Sequence, residues 1–154
     1  MNVKKVVKSI QNEFKHISFT LDDDSNDNTA MLIAGLTVTD YDDGIRLEIL
    51  VSDTGYLSLQ AIFDELQESF DVYKMINDFN QNVSFLHAFL EARGKTTFLC
   101  LSKDMTNVDN EKNALETVVS FLSTLLDDDT KKYLLPLTKM TESTQFDDDE
   151  PISK

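Results

Sequence analysis

The sequence predicts an α+β fold: an antiparallel sheet of five to six strands with helices packed mainly on one face, in the order helix, strands, helix, two strands, helix. Three observations carry this. Apolar residues alternate from Leu36 to Phe63 around two glycine-bearing turns, helical spacing stands before and after the strands, and a further apolar hairpin follows the central helix.

The first helix runs from Asn2 to Phe14, with Val3, Val6, Val7, Ile10 and Phe14 on one stripe and lysines opposite, the pattern of a surface amphipathic helix. Ile17, Phe19 and Leu21 alternate and add a short edge strand. Asp43-Gly44 then reads as a two-residue type I′ turn that sets Val38 opposite Ile49 and Leu36 opposite Val51. The next turn is Asp53-Thr54-Gly55, and a glycine at its third position suits a three-residue loop with a left-handed last residue. That loop pairs Val51 with Leu57, Ile49 with Leu59, Leu47 with Ala61 and Ile45 with Phe63, so every inward pair is apolar. The opposite face carries Thr37, Thr39, Arg46, Glu48, Ser52, Ser58 and Gln60, as in a half-solvated meander.

The central helix, from about Glu65 to Asn80, is expected to bury Phe70, Tyr73, Ile76 and Phe79. Val83 to Leu90 and Thr96 to Ser102 form the last hairpin around Ala92-Arg93-Gly94. Both strands are apolar on both faces, which points to central strands or to cover by a helix, a tail or a second subunit. The last helix spans Asn110 to Leu126, burying Ala114, Leu115, Val118, Leu122 and Leu125, with Asp109 or Asn110 as its N-cap.

The helical Ile76-Asn77-x-x-Asn80, running into alternating apolar strands within this element order, resembles the YbjN-like family, whose fold is like that of type III secretion chaperones. The resemblance covers about Val3 to Leu126. It implies an α+β domain that often dimerises and works by binding proteins, with no catalytic residues to carry over.

Residues 1–127 are expected to form a single α+β domain and residues 128–154 an acidic, partly disordered C-terminal extension. A chain of 154 residues can bury a sizeable single core. The formal net charge of −14 disfavours nonspecific binding to nucleic acid or anionic membrane. Much of the acid lies in three blocks, Asp22 to Asp27, Asp127 to Asp129 and Asp147 to Glu150, read as solubilising loops and tail. Neither Asp22 nor Asp23 as first ligand supplies the glycine and glutamate of an EF-hand loop, so no metal site is assigned. No apolar run approaches a membrane span, and the lone cysteine excludes an intrachain disulfide framework. The expected location is the cytoplasm.

The chemistry-bearing residues are few. In the favoured register of the last hairpin Glu91 faces Lys95 and Cys100 faces Leu86, which sets Cys100 and His87 on opposite faces. A turn through Arg93-Gly94 would instead pair His87 with Cys100 in a cysteine-histidine arrangement. Within Phe98-Leu99-Cys100-Leu101 the cysteine reads as a core residue. Asn77, Asn80 and Asn82 read as helix surface and C-terminal capping. Phosphate-loop, Cys-x-x-Cys, His-Glu-x-x-His and Gly-x-Ser-x-Gly motifs are missing, so no catalytic or cofactor-binding residue is assigned and no enzyme activity is expected.

The expected function is that of a non-catalytic protein-binding module, chaperone-like or regulatory, that engages a protein partner through an exposed sheet face or edge. Met31, Ile33, Leu50, Tyr56 and Ile62 fall on the nominally outer face as an apolar patch. A partner or a homodimer would cover it; so would Tyr133-Leu134-Leu135-Pro136-Leu137, if that stretch folds back. The alternative is an acidic DNA mimic that inhibits a nuclease or DNA-binding protein.

Overall fold

The computed structural model describes residues 1–149, and the side chains of residues 1–41 and 44–140. The carboxylates of Asp147 to Glu150, and the disorder expected at the end of the extension, lie outside the described residues. The elements are α1 (Val3–Glu13), β1 (Thr20–Leu21), β2 (Thr29–Val38), β3 (Tyr41–Ser52), β4 (Leu57–Glu65), α2 (Phe70–Asn82), β5 (His87–Arg93), β6 (Thr96–Met105), α3 (Glu111–Leu125) and α4 (Asp128–Asp149). The six strands form one sheet in the order β1-β2-β3-β4-β6-β5, antiparallel throughout. After β4 the chain crosses through α2 to the far edge, and β6 returns between β4 and β5.

Sheet residues Leu32, Leu47, Ile49, Leu59 and Leu101 share one core with Val6 and Ile10 of α1, Val72 and Phe79 of α2, Val118 and Leu125 of α3, and Leu134 and Leu137 of α4. The four described helices therefore cover the same face. Ile62 and Cys100 are also buried but stand outside this core, on the opposite face.

The β3–β4 hairpin has the register that its glycine turn requires: Val51 pairs with Leu57, Ile49 with Leu59 and Leu47 with Ala61. Gly55 has φ +91°, and a Cβ there would come within 2.9 Å of the Val108 carbonyl oxygen. The β2–β3 pairing differs from expectation. The chain turns at Thr39-Asp40, and Leu36 faces Ile45, Leu32 faces Ile49 and Ala30 faces Val51. Gly44, with φ +76°, lies at an irregularity in the ladder rather than in a type I′ turn. The shift is six residues, an even number, so every side chain keeps its face.

In the β5–β6 hairpin Arg93 faces Thr96 across Gly94-Lys95, Glu91 faces Phe98 and Phe89 faces Cys100. Neither anticipated register is present. β5 is the edge strand, and β6 owes its two apolar faces to an interior place beside β4. The edge is closed by Asn80, which donates from Nδ2 to the Ala88 carbonyl oxygen (3.0 Å) and accepts from the Ala88 N–H at Oδ1 (2.7 Å). The side-chain amide satisfies both backbone groups as another strand would, a different role from the helix-surface reading. Asn80→Ala should lower unfolding free energy by about 1–3 kcal/mol, the cost of orphaning part-buried backbone groups. Asn80→Asp should do no better, because a carboxylate cannot donate to the Ala88 carbonyl; urea denaturation of both variants checks this.

α2 starts later than expected because Ser69 is its N-cap, accepting from the Val72 N–H at 3.1 Å. Its buried stripe is Val72, Ile76 and Phe79, while Phe70 is 83% exposed and Tyr73 47% exposed. Residues 128–140 also depart from expectation: they pack with the domain. Asp128 and Asp129 occupy the first turn of α4, where carboxylates complement the helix dipole. Leu134 and Leu137 reach the core, with α4 lying against α2, α3 and β4. Among the described residues no helix is long and apolar enough to cross a membrane.

Candidate functional site

The face of the sheet that none of the described helices covers gathers side chains from β2 to β6. Met31 and Leu50 are direct cross-strand neighbours there, with Ile33 next along β2 and Tyr56 just before β4. These four are half-buried. Ile62 is only 6% exposed and lies apart from them, opposite Arg46 and Cys100. The structure thus brings four of the five expected patch residues to one end of the face and sets the fifth beyond a charged centre.

That centre is built on Glu48, which is 9% exposed. Arg46, two residues earlier on the same face of β3, donates from Nε to Glu48 Oε2 at 2.9 Å. Arg93 adds a fork, with Nη2 donating to Oε1 at 3.1 Å and Nη1 to Oε2 at 3.4 Å. Arg93 Nε also donates to Glu91 Oε2 (3.1 Å), which accepts from Gln60 Nε2 (3.1 Å) and lies 3.7 Å from the Cys100 thiol.

The position of Arg93 reports the shape of the sheet. Gln60, Ser102 and His87 continue Glu48's cross-strand row, and Arg93 lies six residues further along β5. That is about 20 Å of extended strand. Contact with Glu48 requires the twist of the sheet, with the irregularity between Ile62 and Glu65, to bring the hairpin tip over the uncovered face. On the Arg46 side of Glu48 an open cleft of about 720 Å³ is lined by Gly35, Thr37, Arg46, Ile62, Asp64 and Phe98. A Cβ on Gly35 would meet nothing within 4 Å, so the cleft is open above that residue.

Electrostatics follow from this packing. Burial pushes the Glu48 carboxyl up, but hydrogen bonds and charge from Arg93 and Arg46 more than reverse it, leaving the pKa below its ordinary 4.5. A depressed carboxylate stabilises the fold above its unfolded-state pKa, and that contribution is lost as pH falls through the folded-state value. The stability difference between the natural chain and Glu48→Gln should therefore be constant near neutrality and shrink below about pH 4.5. Parallel urea titrations across this range read it directly; a difference unchanged by acid would mean that the arginines do not hold the charged carboxylate.

Burial, then the Glu91 charge, pushes the Cys100 thiol up to about 12. It stays protonated at neutral pH, which argues against nucleophilic use. Cys100 and His87 share the uncovered face, contrary to the favoured reading, but Phe89 rather than His87 stands opposite the thiol. His87 stacks on Phe89 with ring centroids 6.0 Å apart. Among the described residues no group of three or more His, Cys, Asp and Glu side chains could hold a metal ion.

The loop between β1 and β2 is ordered by its polar side chains rather than merely solvated by them. Asn26 Oδ1 accepts from the N–H groups of Asn28 and Thr29, and Ser25 Oγ accepts from the Met31 N–H.

The crystal structure of YbjN from E. coli, described as a candidate transcription regulator, aligns with 92% of this chain over 93% of its own, with a TM-score of 0.54 and 12% sequence identity. The fold is YbjN-like. The helix–hairpin order that carried the resemblance in the sequence is thus present in three dimensions, and at this identity the likeness concerns architecture. No protein-family profile and no curated protein matches the sequence.

Sequence reasoning missed the Glu48–Arg93 contact. The residues are 45 apart in the chain, and the sequence places Glu48 on the outer face of its strand and Arg93 in the hairpin turn. The one available signal was an acidic residue, Glu48, flanked by Leu47 and Ile49 and two residues from Arg46 on the same strand face.

Proposed function

We propose that the protein is a non-catalytic, cytoplasmic protein-binding module, regulatory or chaperone-like, whose contact surface is the uncovered sheet face. The observation that carries this reading is the Met31–Leu50 cross-strand pair, flanked by Ile33 and Tyr56 on a face that none of the described helices covers. Apolar side chains gathered this way suit the centre of an interface, and the neighbouring polar residues suit its rim. The description of YbjN as a candidate regulator agrees with a binding role. Homodimerisation through the same face is the form that needs no second protein.

The test is affinity capture of the tagged chain from its host at low and high salt, beside Met31→Asp and Leu50→Asp variants and with sedimentation of the purified protein. A stoichiometric partner or a dimer that survives high salt and is lost in both variants supports the reading. A partner retained by both variants removes this face from the function.

A second reading, mimicry of nucleic acid, draws support from the acidic blocks: Asp128 and Asp129 sit on a helix and Asp22 to Asn28 in a hydrogen-bonded loop, as a rigid charge array requires. A captured DNA-binding protein released by salt and displaced by DNA distinguishes it from the first.

A further inference from the structure

We propose that Glu48 is an arginine-accepting site, filled within the chain by Arg93, and that an arginine flanked by apolar residues on a partner protein takes Arg93's place. The inference rests on the reading of the uncovered face as a protein-binding surface and names the partner chemistry that this surface selects.

Glu48's two cations are not equivalent. Arg46 comes from the same strand two residues away, whereas Arg93 is the last residue of the edge strand, next to the Gly94-Lys95 turn, and arrives from 45 positions along the chain. Both arginines reach solvent, Arg46 with 52% and Arg93 with 37% of the side chain exposed, while Glu48's is 11% exposed. The carboxylate is the buried partner, and Arg93, which also rests on Glu91, is the cation that makes the two-pronged contact with it. A carboxylate this buried requires a bidentate cation, and a guanidinium fork matches it better than an ammonium does.

The surroundings favour the same ligand. The cleft on the Arg46 side of the contact offers the half-buried Phe98 to apolar neighbours of an incoming arginine. A chain with a formal net charge of −14 draws cationic partners toward its surface. A second copy brings the same negative charge, so the field favours a different, basic protein. Arg93 thus serves as an internal stand-in for the ligand, and exchange of one guanidinium for another leaves Glu48 paired throughout.

Arg93→Gln keeps much of the side-chain stem and removes the charged fork, so it vacates Arg93's place with the least disturbance while Arg46 still donates to Glu48 Oε2; Arg93→Ala serves as the second variant, and far-UV circular dichroism checks both folds. The first readout is modification of Cys100, the only cysteine and fully buried, by a small thiol reagent. Either variant should react about tenfold faster than the natural chain, the scale of one lost charge-assisted hydrogen bond. Millimolar ethylguanidinium should restore protection, whereas ethylammonium should not, and adding Glu48→Gln should abolish the rescue.

The second readout is binding of the peptide acetyl-Leu-Arg-Leu-amide by chemical-shift titration. Affinity should be about tenfold higher for Arg93→Gln than for the natural chain, the difference being competition from Arg93, and should vanish with Glu48→Gln. Rescue by both cations alike, or peptide binding that ignores Glu48, overturns the proposal. So does the absence of saturable binding to a folded Arg93→Gln chain. These measurements use no cellular partner, so they can fail while the Met31 and Leu50 variants still lose their partner, and the reverse outcome is equally readable.

Discussion

A chain cut after Asp127 should lose its cooperative unfolding transition. The sequence places the end of the domain at that residue, but Leu134 and Leu137 of α4 are fully buried in the common core, and Thr130 is nearly so. Removing α4 uncovers the surfaces of α2, α3 and β4 against which it lies. Each buried leucine reduced to alanine costs about 2–5 kcal/mol, and a domain's whole stability is about 5–15 kcal/mol. Losing both, with the surfaces they cover, consumes most or all of that margin. Urea titration followed by far-UV circular dichroism should show a broad, non-cooperative change for residues 1–127 and a sharp transition for the full chain. A sharp transition of similar midpoint in the shortened chain would mean that α4 is an appendage. A milder form of the test is Leu137→Ala, expected to cost about 2–5 kcal/mol without abolishing the transition.

The helix was hidden in the sequence for physical reasons. Asp127 to Asp129 looks like a solvated acidic run, and Pro136 would ordinarily interrupt a helix. Yet Thr130, Leu134 and Leu137 recur at helical spacing, and the aspartates are well placed at a helix N-terminus. Periodicity was the better guide there.

Elsewhere the limit lay in the alternation itself. A period of two identifies the face of a strand but cannot distinguish registers that differ by an even number of residues. The β2–β3 pairing moved by six positions and kept its faces, so Met31, Ile33 and Leu50 were assigned to the outer face correctly through a different turn. β5 and β6 are apolar on both sides and offer no alternation to fix parity. There the register moved by three, and Cys100 passed from Leu86 to Phe89 and onto the face of His87. The β3–β4 hairpin was fully legible because its glycine turn and its apolar pairs specify one register together. In α2, two helical stripes satisfied the same period, and the Ser69 cap with the Val72, Ile76 and Phe79 stripe left Phe70 and Tyr73 outside.

Ile62→Asp should unfold or severely destabilise the protein, whereas Leu50→Asp should leave it folded, although the sequence sets both residues in one exposed patch. Leu50 is half-buried at the end of the face, between Met31 and Ser58, where a carboxylate can reach water. Its replacement should cost about 1 kcal/mol, the span of strand propensities. Ile62 is buried between Arg46 and Cys100, beside the charged centre. Its loss removes a buried aliphatic side chain, about 2–5 kcal/mol, and an aspartate adds the cost of desolvating a carboxylate. Arg46 stands directly across from it, but its Nε already serves Glu48, so sharing it weakens a contact on which the centre depends. The combined loss should exceed about 4 kcal/mol, the range reached only by core cavities and unpaired buried charge. Urea denaturation separates the two variants. Equal, mild effects would show that Ile62 opens to solvent and that the hairpin tip does not close over it; a large gap would place the boundary between binding surface and protein interior at Glu48.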